Sequence, residues 1–381
     1  MPTYLLHYSS EIGLKGHNRR DFINQLRRNI RRQHPAVTQV THLMGRLVAE
    51  SPQEEAFDDV FGVAWWAEAQ ALPAEMDAIR AAAVALGQAQ AGPGKTFAIR
   101  ARRADKRFPF NSQEIGRDIG AAVVEATGMG VDLTAPDVEI FVEIAPGTAF
   151  VFSERHPGPQ GFPVGVAGKL FGLYSGGIDS VLATYLMARR GARITLVHFH
   201  VFPAAEEAHR QKVGQLAAKL GRYIPGLKVH YLPYRPYHAR ASGLPRKFQP
   251  YRVVTFRRFM ARTAATLAQQ EGGQAIFTGD SLGQVASQTL ENMLAVNEAL
   301  AGFPIFRPLL AWDKQEIITW GERLGFYDLA KQPYRDGCAL LAKKPATRAH
   351  LDRVREMEAR LDIPSLLEET LAQDEIITYG V

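Results

Sequence analysis

The chain has 381 residues, 46% hydrophobic and 22% charged, with a formal net charge of +6 and a single cysteine, Cys338. This length and apolar content exclude extended disorder and fit two or three domains, each able to bury a core. One thiol excludes an internal disulfide and a zinc or iron–sulfur centre built from this chain's cysteines, so no metal site of that kind is expected. No apolar run has bilayer length, and Glu11 stands where a signal peptide needs its basic region, so a cytoplasmic protein without membrane contact is expected.

Residues 3–8 read as a short strand. Arg19 to Arg32 reads as a basic amphipathic helix with Phe22, Leu26 and Ile30 on one face, and Arg46 to Ala49 as a second strand. This small α+β unit is expected over residues 1–52. A second unit is expected over 53–155. It holds an Ala-rich helix from Glu75 to Gln88, a strand from Lys95 to Ala101, and a helix from Gln113 to about Thr127. Asn111-Ser112 introduces that helix and Gly128 stops it. A hairpin follows, Val138 to Ile144 with Ala149 to Phe152, turning at Pro146-Gly147. Gly92-Pro93-Gly94-Lys95-Thr96 ends like a Walker A loop, but Ala89 occupies the first position and a strand follows, so it reads as a turn. Residues 156–169, rich in Gly and Pro, form a linker or an ordered crossing loop.

The third region, 170–381, alternates strands at 170–174, 193–199, 229–232 and 275–278 with helices at 180–190, 206–220, 252–270 and 285–294. Such alternation builds an α/β domain with a parallel sheet between helices, in which ligands sit beyond the carboxyl ends of the strands. Between the first strand and helix lies Ser175-Gly176-Gly177-Ile178-Asp179-Ser180. Two glycines permit a tight turn and close approach of a phosphate, the helix N-terminus favours an anion, and Ser175 and Ser180 add hydroxyl donors. The Lys and the spacing of a Walker A loop are missing. The segment instead resembles the pyrophosphate loop of the ATP pyrophosphatases.

Downstream runs Thr278-Gly279-Asp280-Ser281-Leu282-Gly283-Gln284-Val285-Ala286-Ser287-Gln288-Thr289. With the loop and Val197-His198-Phe199-His200, it closely resembles the tRNA 4-thiouridine synthetases, the tRNA sulfurtransferase family. The likeness extends over the whole chain, including Gly161-Phe162-Pro163-Val164-Gly165 and the stretch from Arg307-Pro308-Leu309 to Asp313-Lys314-Gln315-Glu316-Ile317. It implies a ferredoxin-like domain, then an RNA-binding THUMP domain, then the pyrophosphate-loop domain, without the rhodanese-like extension that some members carry.

The same resemblance implies nucleotide contacts at Leu173, Tyr174, Ser175, Gly176, Gly177, Ser180, His198, Phe199, Arg257, Gly279 and Gln288. Asp179 is implied to hold the magnesium ion that accompanies ATP, and Lys314 to neutralise departing pyrophosphate. Cys338, in Pro333-Tyr334-Arg335-Asp336-Gly337-Cys338, is implied to carry sulfur as a persulfide, with Arg335 favouring its thiolate. Two departures stand out. No second cysteine is available to release the sulfur, and Asp280 stands where the family often has Glu. The implied reaction is adenylation of uridine 8 of tRNA followed by sulfur transfer to give 4-thiouridine. A cysteine desulfurase is the implied donor and a homodimer the implied assembly. Some members also supply sulfur for thiamine thiazole synthesis.

The charge distribution agrees with a polyanionic partner. Residues 1–50 hold eight Lys/Arg against three acids, Lys95 to Arg107 six against one, and Arg235 to Arg262 eight against none. In the THUMP-like unit Lys95, Arg100, Arg102, Arg103, Lys106 and Arg107 are the expected tRNA contacts. Between Arg240 and Arg262, basic residues alternate with Phe248, Tyr251, Phe256 and Phe259, which suits stacking on RNA or, for Phe256 and Phe259, a core. Two other readings are another pyrophosphate-loop tRNA-modifying enzyme, against which the 278–289 motif speaks, and a non-catalytic tRNA-binding protein, against which the intact loop speaks.

Overall fold

Hydrogen-bonded strand registers divide the chain into three sheets, seen in a computed structural model that describes residues 1–335, 337–341 and 345–380, with backbone alone at 338 and 339. The chain forms two units, Met1–Phe162 and Pro163–Val381. Among the described residues, no helix is long and apolar enough to cross a membrane.

The first unit begins with β1 (Thr3–Tyr8), helix Arg19–Gln33, β2 (Gln39–Leu43), β3 (Arg46–Glu50) and β4 (Val63–Glu68). It continues with β5 (Gln70–Pro73), helix Met76–Gln90, β6 (Thr96–Arg103), helix Ser112–Thr127, β7 (Gly130–Val131), β8 (Val138–Ala145), β9 (Thr148–Phe152) and β10 (His156–Pro157). One sheet has the order β10-β4-β1-β3-β2 and the other β5-β9-β8-β6-β7. The first sheet therefore runs past residue 52 to Glu68 and takes back two residues of the Gly/Pro-rich stretch. Helix Ser112–Thr127 starts as its sequence dictates. The Asn111 side chain accepts from the main chain of Gln113 and Glu114, Glu114 bonds back to the Asn111 amide, and Gly128 closes the helix at φ 67°. Leu5, Val48 and Ala67 meet Phe141, Phe150 and Phe152 in one apolar cluster, beside which the buried Arg46 pairs with the buried Glu143 at 2.6 Å.

The second unit carries β11 (Lys169–Leu173), helix Ile178–Arg189, β12 (Arg193–His200), β13 (Leu227–Pro233), helix Arg252–Gln270, β14 (Ala275–Phe277), β15 (Ile305–Phe306) and β16 (Glu375–Tyr379). The order β15-β14-β11-β12-β13-β16 is parallel except for β16, which pairs antiparallel with β13. Strand order reverses around β11, so a crevice opens beyond its carboxyl end between β12 and β14.

Two expected helices differ. The one at 206–220 is split into Ala205–Arg210 and Lys212–Tyr223, because Gln211 takes an extended ψ of −178°. The one at 285–294 is a 3-10 turn, Ala286–Gln288, followed by helix Leu290–Glu298. Thr289 ends the turn and caps that helix through the Asn292 amide.

The basic stripe 235–262 faces inward for much of its length. Phe248, Phe256 and Phe259 are all core residues, so Phe248 is unavailable for stacking on RNA. Arg240 bonds the carbonyls of Leu361 and Asp362 and the Glu369 carboxylate. Arg258, buried, grips Glu358 with two bonds of 2.7 and 2.8 Å, and Arg262 joins the same carboxylate. Burial alone would raise the pKa of Glu358, but Arg258 and Arg262 hold it below the ordinary carboxylate range. Its contribution to stability is therefore full above the unfolded value of 4.5 and lost as pH falls through the lower folded value. Glu358→Ala, which removes the two-bond partner of Arg258 and leaves it Glu298 at 2.6 Å and the Ala295 carbonyl, is expected to lower unfolding free energy by about 1–3 kcal/mol. Urea melts at neutral pH check this, and the gap between wild type and variant should narrow on acidification.

Candidate active site

The crevice is built from the ends of β11, β12 and β14. Beyond β11, the Tyr174 amide donates to the Val197 carbonyl at 2.9 Å and its hydroxyl to the Val213 carbonyl at 3.0 Å, which fixes where the loop starts. Gly176 turns the chain at φ 74°, and a Cβ there would sit 2.7 Å from a Val213 methyl. The Gly177 amide donates to Ser175 Oγ at 3.2 Å, and Ser180 Oγ donates to the Gly177 carbonyl at 2.9 Å. Both hydroxyls thus brace the turn. Among the described residues, no side chain caps helix Ile178–Arg189, so its N-terminus is an anion-favouring end.

Asp179 stands on the first turn of that helix. Its carboxylate accepts from Lys314 Nζ at 2.6 Å and from Gln284 Nε2 at 3.0 Å. Lys314 is placed by a capping box in which Asp313 and Glu316 start helix Lys314–Arg323. Both partners are partly exposed, so the pair can be exchanged for a ligand.

After β14, the main chain at Gly279 passes directly over the loop. A Cβ at Gly279 would lie 2.6 Å from the Asp179 carbonyl carbon and 2.7 Å from the Ser180 amide nitrogen. Asp280 then turns inward. Arg257 donates to one of its oxygens. Thr278 Oγ1 donates to the other at 2.8 Å, Arg307 Nε at 3.3 Å, and Gln288 Nε2 to the first at 3.3 Å. Burial would raise the Asp280 pKa, yet Arg257, Thr278 and Arg307 hold it below the usual range. Two guanidiniums thus meet one carboxylate in this wall. Among the described residues, Gln288 Oε1 is buried without a hydrogen-bond partner.

At the end of β12, His198 is buried. Its Nδ1 lies 2.7 Å from the Tyr174 carbonyl oxygen and its Nε2 2.8 Å from the Tyr334 hydroxyl. Burial pushes it down to about 4, so the ring is neutral at ordinary pH.

These residues enclose a cavity of about 260 Å³. Of the sequence-expected set, Leu173, Tyr174, Ser175, Asp179, Ser180, His198, Phe199, Arg257, Gly279 and Gln288 all line it, with Phe256, Met260 and Val285 as apolar wall. Gly176 and Gly177 form the turn at its edge, and Lys314 reaches it through Asp179. Cys338 lies in helix Gly337–Leu341; its neighbour Gly337 lines the cavity, while the cysteine's side chain falls outside the described residues. Arg307, Gln284 and Tyr334 carry no mark as site residues in the sequence, and Asp280 is marked there only as a departure from the family's Glu. Each lay inside a motif already quoted, but nothing in one-dimensional spacing marks which polar residue turns inward. Among the described residues, no cluster of three His, Cys, Asp or Glu could hold a metal.

The basic set of the first unit is partly self-paired. Arg100 bonds Glu139 at 2.6 Å, Arg103 the Phe108 carbonyl at 2.9 Å, Arg107 the Asp105 carboxylate, and Lys95 the Gln90 carbonyl at 3.1 Å. Arg102 and Lys106 are exposed.

Comparison with known proteins adds to this geometry. The family described as Thiamine biosynthesis protein (ThiI) matches residues 165–363, the THUMP domain 73–154 and the ThiI ferredoxin-like domain 3–66. A probable tRNA sulfurtransferase of Thermus thermophilus is 42% identical over 97% of this chain and 92% of its own. One from Moorella thermoacetica is 39% identical over 99% and 98%. A solved 4-thiouridine synthetase–RNA complex with bound ATP superposes with a TM-score of 0.87 at 30% identity, covering 100% of both chains. A Pyrococcus horikoshii protein shares the fold, with a TM-score of 0.68 at 23% identity.

Because no side chain fits between residues 279 and 179, Gly279→Ala is expected to push the loop aside at a cost of about 1–3 kcal/mol. A lowered thermal midpoint, together with loss of any nucleotide-induced rise in it, checks this.

Proposed function

The chain belongs to the tRNA sulfurtransferase family, and on that premise we propose that it uses ATP to adenylate a uridine carbonyl of tRNA and then replaces the oxygen with sulfur. The observation that carries this reading is the uncapped helix N-terminus behind the Ser175–Ser180 loop, opening on the same cavity as Asp179 and its partner Lys314.

In this reading adenine lies against the apolar wall of Leu173, Phe199 and Met260, with main-chain groups at Tyr174 and Phe199 reading its edge. The triphosphate rests on Ser175, Gly176, Gly177 and Ser180, facing Arg257 and the main chain at Gly279, with Gln288 beside it. Among the described residues, Asp179 is the cavity-lining carboxylate with partial exposure, and it would hold the magnesium ion that accompanies ATP. When bound, that ion supplies charge neutralisation to the phosphates. Lys314, released from Asp179, is placed to stabilise the charge that builds on pyrophosphate.

The uridine O4 attacks the α-phosphorus, the bond to the β-phosphate oxygen breaks, and pyrophosphate leaves. The terminal sulfur of a Cys338 persulfide then attacks C4 and AMP departs. An outside thiolate attacks Cys338 Sγ, breaks the S–S bond, leaves the sulfur on C4 as 4-thiouridine and forms a disulfide with Cys338, which a second thiol reduces. Burial of His198 as a neutral ring keeps a competing charge away from this centre.

Uridine 8 is the target in this reading, presented by shape-dependent tRNA recognition. Lys95, Arg100, Arg102, Arg103, Lys106 and Arg107 grip phosphates, Arg102 and Lys106 first because they are exposed. A cysteine desulfurase charges Cys338, the working form is a homodimer, and chemistry that joins ATP to tRNA places the enzyme in the cytoplasm.

Asp179→Ala is expected to lower tRNA-dependent pyrophosphate release by about 100-fold or more while tRNA affinity stays unchanged. Pyrophosphate assays and filter binding test it, and normal 4-thiouridine by nucleoside mass spectrometry would refute it. Cys338→Ser is expected to keep pyrophosphate release and lose thiolation driven by a desulfurase. Formation of ADP in place of AMP by the wild type would overturn the whole reading.

A further inference from the structure

His198 has both ring nitrogens engaged, and the chemistry of the partners fixes the direction of each bond. The Tyr174 carbonyl oxygen at 2.7 Å can only accept, so Nδ1 carries the proton. Nε2 is then the acceptor, and the Tyr334 hydroxyl at 2.8 Å donates to it. A directed chain therefore runs from Tyr334, four residues ahead of Cys338, to the residue that opens the phosphate loop.

The segment is held at further points. Lys212 Nζ donates to the carbonyls of Ala330 and Gln332, each at 2.7 Å, and its ammonium lies 5.9 Å from the centre of the Tyr334 ring. The Phe202 ring packs 5.8 Å from that of Tyr334. On the cysteine side, Gly337 sits so close to Tyr234 and Phe256 that a Cβ would lie 2.9 and 3.2 Å from their rings. The chain is thus pinned against the cavity on both sides of residue 336, and Cys338 follows immediately.

We propose that Tyr334 is a positioning residue for the sulfur-transfer half of the reaction: its hydroxyl, through His198, sets the register of the Cys338 segment against the Tyr174 edge of the nucleotide cavity. This rests on the reading of Cys338 as the sulfur carrier. A tyrosine needed only for packing would tolerate phenylalanine, since the ring and its contact with Phe202 remain. A tyrosine needed for its hydroxyl would not, because His198 Nε2 then faces no donor and the segment loses its reference point.

The test uses the full-length Tyr334→Phe variant with unmodified tRNA transcript and ATP. Three rates are measured: pyrophosphate release, 4-thiouridine formation supported by a desulfurase and cysteine, and 4-thiouridine formation supported by free sulfide. In the last, hydrosulfide attacks C4 of the adenylated base directly and AMP leaves, so no enzyme thiol is needed. Pyrophosphate release and the sulfide-supported rate are expected within about twofold of wild type, with the desulfurase-supported rate lowered about tenfold. The single thiol gives an independent readout, because alkylation of the intact chain reports on Cys338 alone; its rate should rise at least about threefold in the variant. Equal loss of all three rates, or no change in the desulfurase-supported rate and in alkylation, overturns the proposal. Absence of pyrophosphate release from the wild type would instead overturn the functional reading on which it stands.

Discussion

The main chain at Gly279 rides on the main chain of Asp179 and Ser180 with no space for a side chain between them. This contact joins the loops that follow β11 and β14, and most of the site depends on it. It brings the 278–289 segment within reach of the phosphate-loop helix, so that Gln284 bonds Asp179 and Asp280 can turn into the wall behind. A parallel sheet delivers both loops to one edge; the glycine determines how far apart they sit there.

Behind the contact, electrostatics are arranged before any ligand arrives. Asp280 is buried, yet it remains ionised because two guanidiniums and two neutral donors surround it. It holds both Arg257 and Arg307 in place. Both guanidiniums are fixed groups, so little reorganisation is needed when a polyphosphate enters. Asp179 is the opposite case, partly exposed and paired with a lysine that solvent can reach, which makes it exchangeable.

Much of this was legible in one dimension because it rests on local rules. The Gly-Gly turn between a strand and a helix, the Asn111 cap with its Gly128 stop, and the strand–helix alternation after residue 170 each depend on a few neighbouring residues. What was hidden depends on partners distant in sequence. β2 exposes most of its side chains at a sheet edge, and β4, Val63–Glu68, has no clean alternation, so neither announces itself. The helix expected at 285–294 had the right composition, but Thr289 caps a later start. The basic stripe around Arg258 looked like an RNA surface because its carboxylate, Glu358, is a hundred residues away. Tyr334 is similar: its spacing suggests nothing, and its meaning appears only when β12 brings His198 to it.

β16 pairs antiparallel along β13, with Tyr379 bonding Tyr231 at 2.6 Å and Asp374 bonding His230 at 2.6 Å. It leaves the ribosome long after the strand it covers. Until it docks, β13 presents a row of open amides and carbonyls to any extended chain nearby. Co-translational folding of this unit therefore passes through a stage with one sticky border, and shielding of that border waits on the segment from Glu375 to Tyr379. Premature termination ahead of it would yield a product whose hazard is self-association through that border rather than a missing catalytic group.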